Sequence, residues 1–451
     1  MSESLRVVEN ATCTFCGCVC DDMMLTVDDT TKRIVKAKNA CVLGRAWFAE
    51  HTIEEGPAAL VEGKPASVDD AVAEAARILV DARFPIAYGL SDTTCEAQRQ
   101  AVAIMDMVRG TIDTTTSVCH GPSGLAFQGV GESTMTLGEV KNRADLVVYW
   151  GGNPAESHPR HFGRYAVTPK GMFTPNGKKD RTIVLVDVRR TPSAPAANIF
   201  IQVRPGRDFE LLWAMRARVR GRSVSPRIEE ITGVPPSTID DLVQRMKSCR
   251  YGVLFFGMGL TMTRGRHFNS GALLALATDL NEFTHFVAKP VRGHGNVTGA
   301  DNVVSWQTGY PFGVNFSRGF PRFNPGEFTT VDTLARGDAD AAMIIASDPA
   351  SNFPKAAISH LQRIPVISLD TKPTLTSKLA RVAFRTATYG INTAGTVYRM
   401  DDVPITLRKA FDSPYPDDES ILKAIRERVR ALLSARVPRG ARSPFELPLT
   451  A

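Results

Sequence analysis

DLVVYWGG, residues 145–152, sets five consecutive apolar side chains before two glycines. A short run that is continuous rather than alternating, and is stopped by turn residues, reads as a strand buried on both faces. The pattern recurs at FPIAYGL (84–90), TIVLVDVRR (182–190), YGVLFFGMGL (251–260), AAMIIASDP (341–349) and IPVISLD (364–370), each run closing on Gly, Asp, Ser or Pro. Amphipathic stretches lie between most of them. SVDDAVAEAARILVDA opens on a candidate N-cap at Ser67 and repeats apolar residues at Val72, Ala75, Ala76 and Leu79. DFELLWAMRARVR and SGALLALATDLN read the same way. Buried strands alternating with helices predict an α/β fold whose largely parallel sheets are covered on both faces. In such sheets ligands bind beyond the carboxyl ends of the strands, where these polar turns fall.

Outside this rhythm the first residues read as a small irregular module, with MMLTVDD and RIVKA as short strands of a hairpin and loops carrying cysteines on either side. ATCTFCGCVCDD (11–22) holds four of the chain's eight cysteines, and Cys41 follows some twenty positions on. Eight cysteines in 451 residues are too few for a disulfide-stapled scaffold. MSESLRVVEN contains no apolar signal core, and no apolar run approaches the ~20 residues that cross a bilayer. The expectation is a cytoplasmic chain with reduced thiols and no membrane insertion. A net charge of +7 is mild for this length, and no Lys/Arg block or aromatic-interleaved basic stripe points to nucleic acid.

Metal binding remains for the thiols. Cys13-x2-Cys16-x3-Cys20 with Cys41 supplies four thiolates from two loops. A cubane cluster takes one thiolate per iron, which suits three close cysteines and a distant fourth. Zinc knuckles usually bring two separated Cys-x2-Cys pairs, and one such pair is present here. The spacing favours an iron–sulfur cluster and leaves zinc open. Cys18 is then spare, unless it exchanges roles with Cys16.

Four regions are expected: a cluster module (1–65), an α/β domain built from 66–118 plus 300–410, an inserted α/β domain (119–299), and a C-terminal helix and tail (411–451). TGYPFGVNFSRGFPRFNPGEF (308–328) is too long and punctuated for a simple connector and reads as an ordered loop. ESILKAIRERVRALLSARV repeats apolar residues at helical spacing, a helix docked either on the chain's own core or on a partner.

Ten stretches in register then carry a resemblance. CTFCGCVCDD, NACVLGRAWF, SVCHGPS, WGGNPAESHPRH, VRPGRD, GMGLTMTRGRHFN, VRGHGNVTGAD, FSRGFPRFNPGE, ASDPASNFP and GTVYRMDDVPI, spanning Cys13 to Ile405, together resemble the B subunit of formylmethanofuran dehydrogenase. That family belongs to the molybdopterin oxidoreductases related to formate dehydrogenases. The resemblance implies a [4Fe–4S] cluster on Cys13, Cys16, Cys20 and Cys41. It also implies tungsten or molybdenum bound to molybdopterin guanine dinucleotide, with Cys119 as the protein ligand to the metal. His120 beside it can move a proton near neutral pH, and Arg292 can bind the oxygens of formate or carbon dioxide.

Candidate contacts to the pterin phosphates and guanines are Gly152, Asn153, Glu156, Asp187, Arg189, Gly257, Gly259, His267 and Asp348, all after predicted strands. Glycines there admit backbone close to phosphate. The family reaction interconverts carbon dioxide and formate, and a separate amidohydrolase-like subunit joins formate to methanofuran or hydrolyses the product. No C-terminal β-barrel domain that clamps the dinucleotides is expected, so a small partner subunit would supply that clamp. The alternative implied by resemblance is a non-redox scaffold subunit of a bacterial formyltransferase/hydrolase complex.

Overall fold

The structure is a computed structural model that describes residues 5–53 and 55–436. The tail expected after the last helix falls at 437–451, outside the described residues. Two large sheets dominate. One has five strands, all parallel, in the order Ile199–Gln202, Thr182–Asp187, Leu146–Trp150, Tyr251–Phe256, His285–Pro290. Its strand order reverses between Leu146–Trp150 and Tyr251–Phe256, the point at which such sheets open a crevice at their carboxyl edge. The other has nine strands. Its centre is parallel, in the order Thr111–Thr114, Pro85–Gly89, Ala341–Ile345, Val366–Asp370, Val382–Arg385. Antiparallel pairs finish both edges: Val314–Asn315 with Arg322–Phe323, and Ala59–Val61 with Lys64–Ala66.

The apolar runs are continuous because both faces of each sheet are covered. Leu146, Val148 and Trp150 point into a core with the helices Asp208–Val219, Pro236–Ser248 and His267–Leu280. Val147 and Tyr149 point the other way, into a core shared with Met23, Leu25 and Phe48 of the N-terminal module. That module is a three-stranded antiparallel sheet, Leu5–Cys13, Cys20–Asp28 and Arg33–Lys38, one strand more than the expected hairpin. The cysteine-bearing module is therefore packed on a face of the five-stranded sheet.

Helix ends follow their sequence cues. Ser67 Oγ accepts the Asp70 amide at 3.0 Å, and Asp417 Oδ1 accepts that of Ser420 at 2.7 Å. The last helix, Asp418–Ala435, buries Ile421, Leu422, Ile425 and Val429 against Val68–Asp81 and Cys95–Met107, which settles its docking on the chain's own core. Each of those four side chains contributes roughly 1.5–3 kcal/mol by leaving water. The 308–328 stretch is ordered: Tyr310 stacks on Phe323 at 5.1 Å, and Phe312 is buried against Gly121 and Gly124. Among the described residues no helix is long and apolar enough to cross a membrane.

Candidate functional site

Cys13 closes the first strand and pairs with Cys20 at the start of the second, so Cys16 and Cys18 ride on the turn between them. Val19 in that turn has φ 36°, a left-handed conformation a β-branched residue rarely takes. Cys41 caps the helix Val42–Ala49, its Sγ accepting the Gly44 amide at 3.4 Å. All five thiols line one small apolar cavity together with Phe15, Met23, Ala40 and Gly44. A Cβ on Gly44 would stand 3.1 Å from Cys13 Sγ and 3.8 Å from Cys41 Sγ, so glycine keeps that space clear.

Burial pushes the Cys13 and Cys20 thiols up, with Arg160 and Arg164 opposing at Cys20. A hydrogen bond between Cys16 and Cys18 lowers the first and, with burial, raises the second. Arg160 grips Asp22 through both carboxylate oxygens at 2.5 and 2.6 Å, and Arg164 holds Asp21 at 2.6 Å. Among the described residues no three His, Cys, Asp or Glu side chains stand close enough to share a single ion. Five thiols around one cavity are a donor set that a multi-iron cage would take.

Cys119 and Arg292 come from different sheets. Cys119 and His120 follow Thr111–Thr114 of the large sheet, and Arg292 follows His285–Pro290 of the five-stranded one. Burial pushes the Cys119 thiol up, and the nearby Arg292 guanidinium opposes it. Arg292 is 7% exposed; Nη2 donates to Thr116 Oγ1 at 2.5 Å and to Asp301 Oδ2. Asp301 also accepts from Thr114 Oγ1 and Thr116 Oγ1, each at 2.9 Å. Arg292 Nε is buried without a protein partner, which leaves a donor for a ligand oxygen. His120 Nδ1 lies 3.1 Å from Ser123 Oγ; its Nε2 is buried and unpartnered, and burial holds its pKa down at about 3. His158 Nε2–H donates to the Arg292 carbonyl at 2.6 Å.

The same arginine loop is stitched to the cysteine turn. Gly17 N–H donates to Gly293 O at 3.2 Å, and Tyr389 Oη donates to Thr14 O at 2.9 Å. A Cβ at Gly295 would overlap the Thr14 carbonyl and the Tyr389 hydroxyl. Next to these contacts opens a cavity of about 440 Å³ at the strand-order reversal of the large sheet. Phe15, Trp47, Asp92, His294, Ser347, Asp348 and Asp370 are among its walls, and Phe15 lines the thiol cavity as well. His294 Nδ1 pairs with Asp92 at 3.1 Å, which raises the imidazole pKa.

The remaining candidates gather at the carboxyl edges, and several have structural work there. Asp187 ends a strand of the five-stranded sheet, and Gly152, Asn153, Glu156, Arg189, Gly257, Gly259 and His267 follow strands of it. Cβ atoms on Gly257 and Gly259 would come within 2.6 and 2.7 Å of Gly151 O, so these glycines let two loops pack backbone to backbone at the crevice. Asn153 accepts from Ser193 Oγ at 2.7 Å and donates to Glu156. Asp187 holds the Val188 amide at 2.7 Å. Asp348 lines the 440 Å³ cavity, yet its carboxylate receives the Thr376 amide at 2.8 Å and hydroxyl at 2.6 Å. The His267 ring lies tilted against exposed Phe268, centroids 4.1 Å apart. Asp301, Thr116 and His158, which fix the arginine, were not singled out by the sequence reading. Asp301 and His158 do lie within the quoted VRGHGNVTGAD and WGGNPAESHPRH.

No family model matches the chain. It is 44% identical over 442 residues, 95% of this chain and 100% of the relative, to the B subunit of tungsten-containing formylmethanofuran dehydrogenase 2 from Methanocaldococcus jannaschii. Among solved structures it resembles a chain of the formyltransferase/hydrolase complex from Methylorubrum extorquens in complex with methylofuran. There the TM-score is 0.68 and identity 23%, over 83% of this chain and 99% of that one. Acetylene hydratase from Pelobacter acetylenicus gives TM-score 0.65 at 12% identity, over 94% of this chain and 67% of that one. These two likenesses speak to the fold. The full-length identity to the Methanocaldococcus relative decides the family: this chain belongs to the B subunits of formylmethanofuran dehydrogenase, which are oxidoreductases.

Proposed function

We propose that this chain is the redox subunit of a formylmethanofuran dehydrogenase complex, interconverting carbon dioxide and formate. The observation that carries the reading is the meeting of Cys119 and His120 with Arg292 from another sheet, on a loop whose next residues line a cavity one aromatic ring away from the five thiols. Cys13, Cys16, Cys20 and Cys41 would hold a [4Fe–4S] cluster, and Cys119 would bind tungsten or molybdenum carried by molybdopterin guanine dinucleotide. When bound, that group supplies a two-electron acceptor and donor. Arg292, clamped by Asp301 and Thr116, orients the substrate oxygens through its unpartnered Nε. His120, expected to move a proton near neutral pH, is instead kept neutral by burial, which holds its pKa at about 3; held through Nδ1 by Ser123, it offers Nε2 as a hydrogen-bonding nitrogen. Pterin contacts would come from the carboxyl-edge residues Gly152 to His267 and from the cavity at Asp348.

The assembled enzyme needs partners: an amidohydrolase-like subunit for the methanofuran amine and a subunit to clamp the pterins, working in the cytoplasm. A second reading, a scaffold subunit without redox chemistry, draws on the likeness to the formyltransferase/hydrolase complex. Metal analysis of the complex purified without oxygen from its native host separates the two. About four irons on this chain with one tungsten or molybdenum is the expected result. Iron without either heavy metal favours the scaffold, and zinc without iron overturns both.

A further inference from the structure

Arg292 and Asp301 also face a second cavity, about 310 Å³, which takes in Glu132, Lys289 and Asp402. That volume holds several water molecules. Lys289 is 4% exposed, and its Nζ donates to Asp402 at 2.6 Å, to Thr134 Oγ1 at 3.1 Å and to Glu132 at 3.5 Å. Asp402 is half exposed, so the cluster reaches solvent. It is also the closer counter-ion of the lysine, so charge balance alone does not require Glu132. Glu132 Oε1 is buried and has no protein partner.

On the redox reading above, formate oxidation breaks one C–H bond. The electron pair would be taken up by the metal group that Cys119 would hold, and one proton has to leave a pocket walled by Arg292. Reduction of carbon dioxide takes that proton back. Arginine keeps its charge and cannot relay a proton. We propose that Glu132, steadied by Lys289 and opening to solvent past Asp402, carries this proton through water in the cavity. Burial raises the Glu132 carboxyl and Asp402 adds to the effect, while Lys289 opposes them. Arg292 and Asp301 are the other charged groups on the cavity wall.

The test uses the purified complex with Glu132→Gln and Glu132→Asp, followed by formate-dependent reduction of a viologen dye across pH. The expected result is a kcat at least about tenfold lower in E132Q with KM for formate unchanged, and partial recovery in E132D. Infrared difference spectra of the same complexes, titrated with acid, should show a carboxyl band in wild type that is missing in E132Q. Unchanged kcat, or a raised KM with kcat kept, overturns the relay; the latter would mean that the cavity carries carboxylate anions. Should the wild-type complex fail to oxidise formate, the redox reading falls, and the infrared titration still decides whether Glu132 exchanges protons there. Absence of an E132Q-sensitive band overturns that claim on its own.

Discussion

Two glycines in the arginine loop, Gly293 and Gly295, should respond very differently to alanine. A Cβ on Gly295 would lie 2.8 Å from the Thr14 carbonyl carbon and overlap both its oxygen and the Tyr389 hydroxyl. Carbon atoms rest about 3.5–4.0 Å apart, so the Thr14 peptide has to retreat by roughly 1 Å. It is pinned. Tyr389 Oη donates to its carbonyl at 2.9 Å, and the opposing loop is fixed by Asn296 N–H on Ser91 O at 2.8 Å. Overpacking typically costs about 1–3 kcal/mol, and a broken Tyr389 hydrogen bond adds about 1 kcal/mol, so G295A should lose about 3 kcal/mol. Gly293 has nothing within 4 Å of its virtual Cβ, and its φ lies outside the left-handed region. G293A should be neutral, or more stable by about 0.4–1 kcal/mol through the unfolded chain.

Thermal melting, together with the rate at which a thiol reagent labels Cys16, reads both effects. A loss of about 3 kcal/mol local to this loop raises transient opening about 100-fold, and Cys16 labelling should follow in G295A alone. Equal melting and equal labelling in the two variants would refute the claim that the cysteine turn and the arginine loop are wedged together.

Asp418 is buried with its pKa pushed up to about 6, so its folded-state pKa exceeds the unfolded value. Its contribution to stability is therefore full below about pH 4 and lost as pH rises towards 6. D418N should gain up to roughly 2–3 kcal/mol on wild type at pH 7 and nothing at pH 4; an equal offset in melting at both pH values would contradict this. Asp301→Asn strands a buried guanidinium and should cost about 3–5 kcal/mol, whereas the double change Asp301→Leu with Arg292→Met recovers most of it. Denaturant curves of these variants and wild type check that ordering. Cys13→Ser should strip iron from the complex and Cys18→Ser should leave it, by metal content per chain; the reverse pattern would exchange their assigned roles.

The strand runs were legible because burial on both faces leaves an uninterrupted apolar signature, as at Leu146–Trp150 and Tyr251–Phe256. Leu5–Cys13 escaped notice because most of its residues are exposed, and LRVVENATC looks like neither a buried strand nor a helix. Cys119 and Arg292, far apart in sequence, were named only through the motif resemblance, since no local pattern reports that two sheets bring their edges together. For the same reason Asp301 stayed hidden: its value lies in Thr114 and Thr116, contributed by a distant stretch of chain. Glycine and aspartate after a strand signal close approach without saying to what. At Gly257, Gly259 and Asp348 part of the answer is the chain's own backbone.

The clamp on the cysteine turn also imposes an order of events. Translation delivers Cys13 to Cys41 first, but the groups that fix their loop come last: Tyr389 on Thr14, and the Met400 amide on Gly17 O at 2.8 Å. A nascent chain on the ribosome exposes its thiols long before the wall that will enclose them exists. Enclosure of these thiols is thereby deferred to a nearly finished polypeptide, and a product ending before Tyr389 would lack both of these contacts.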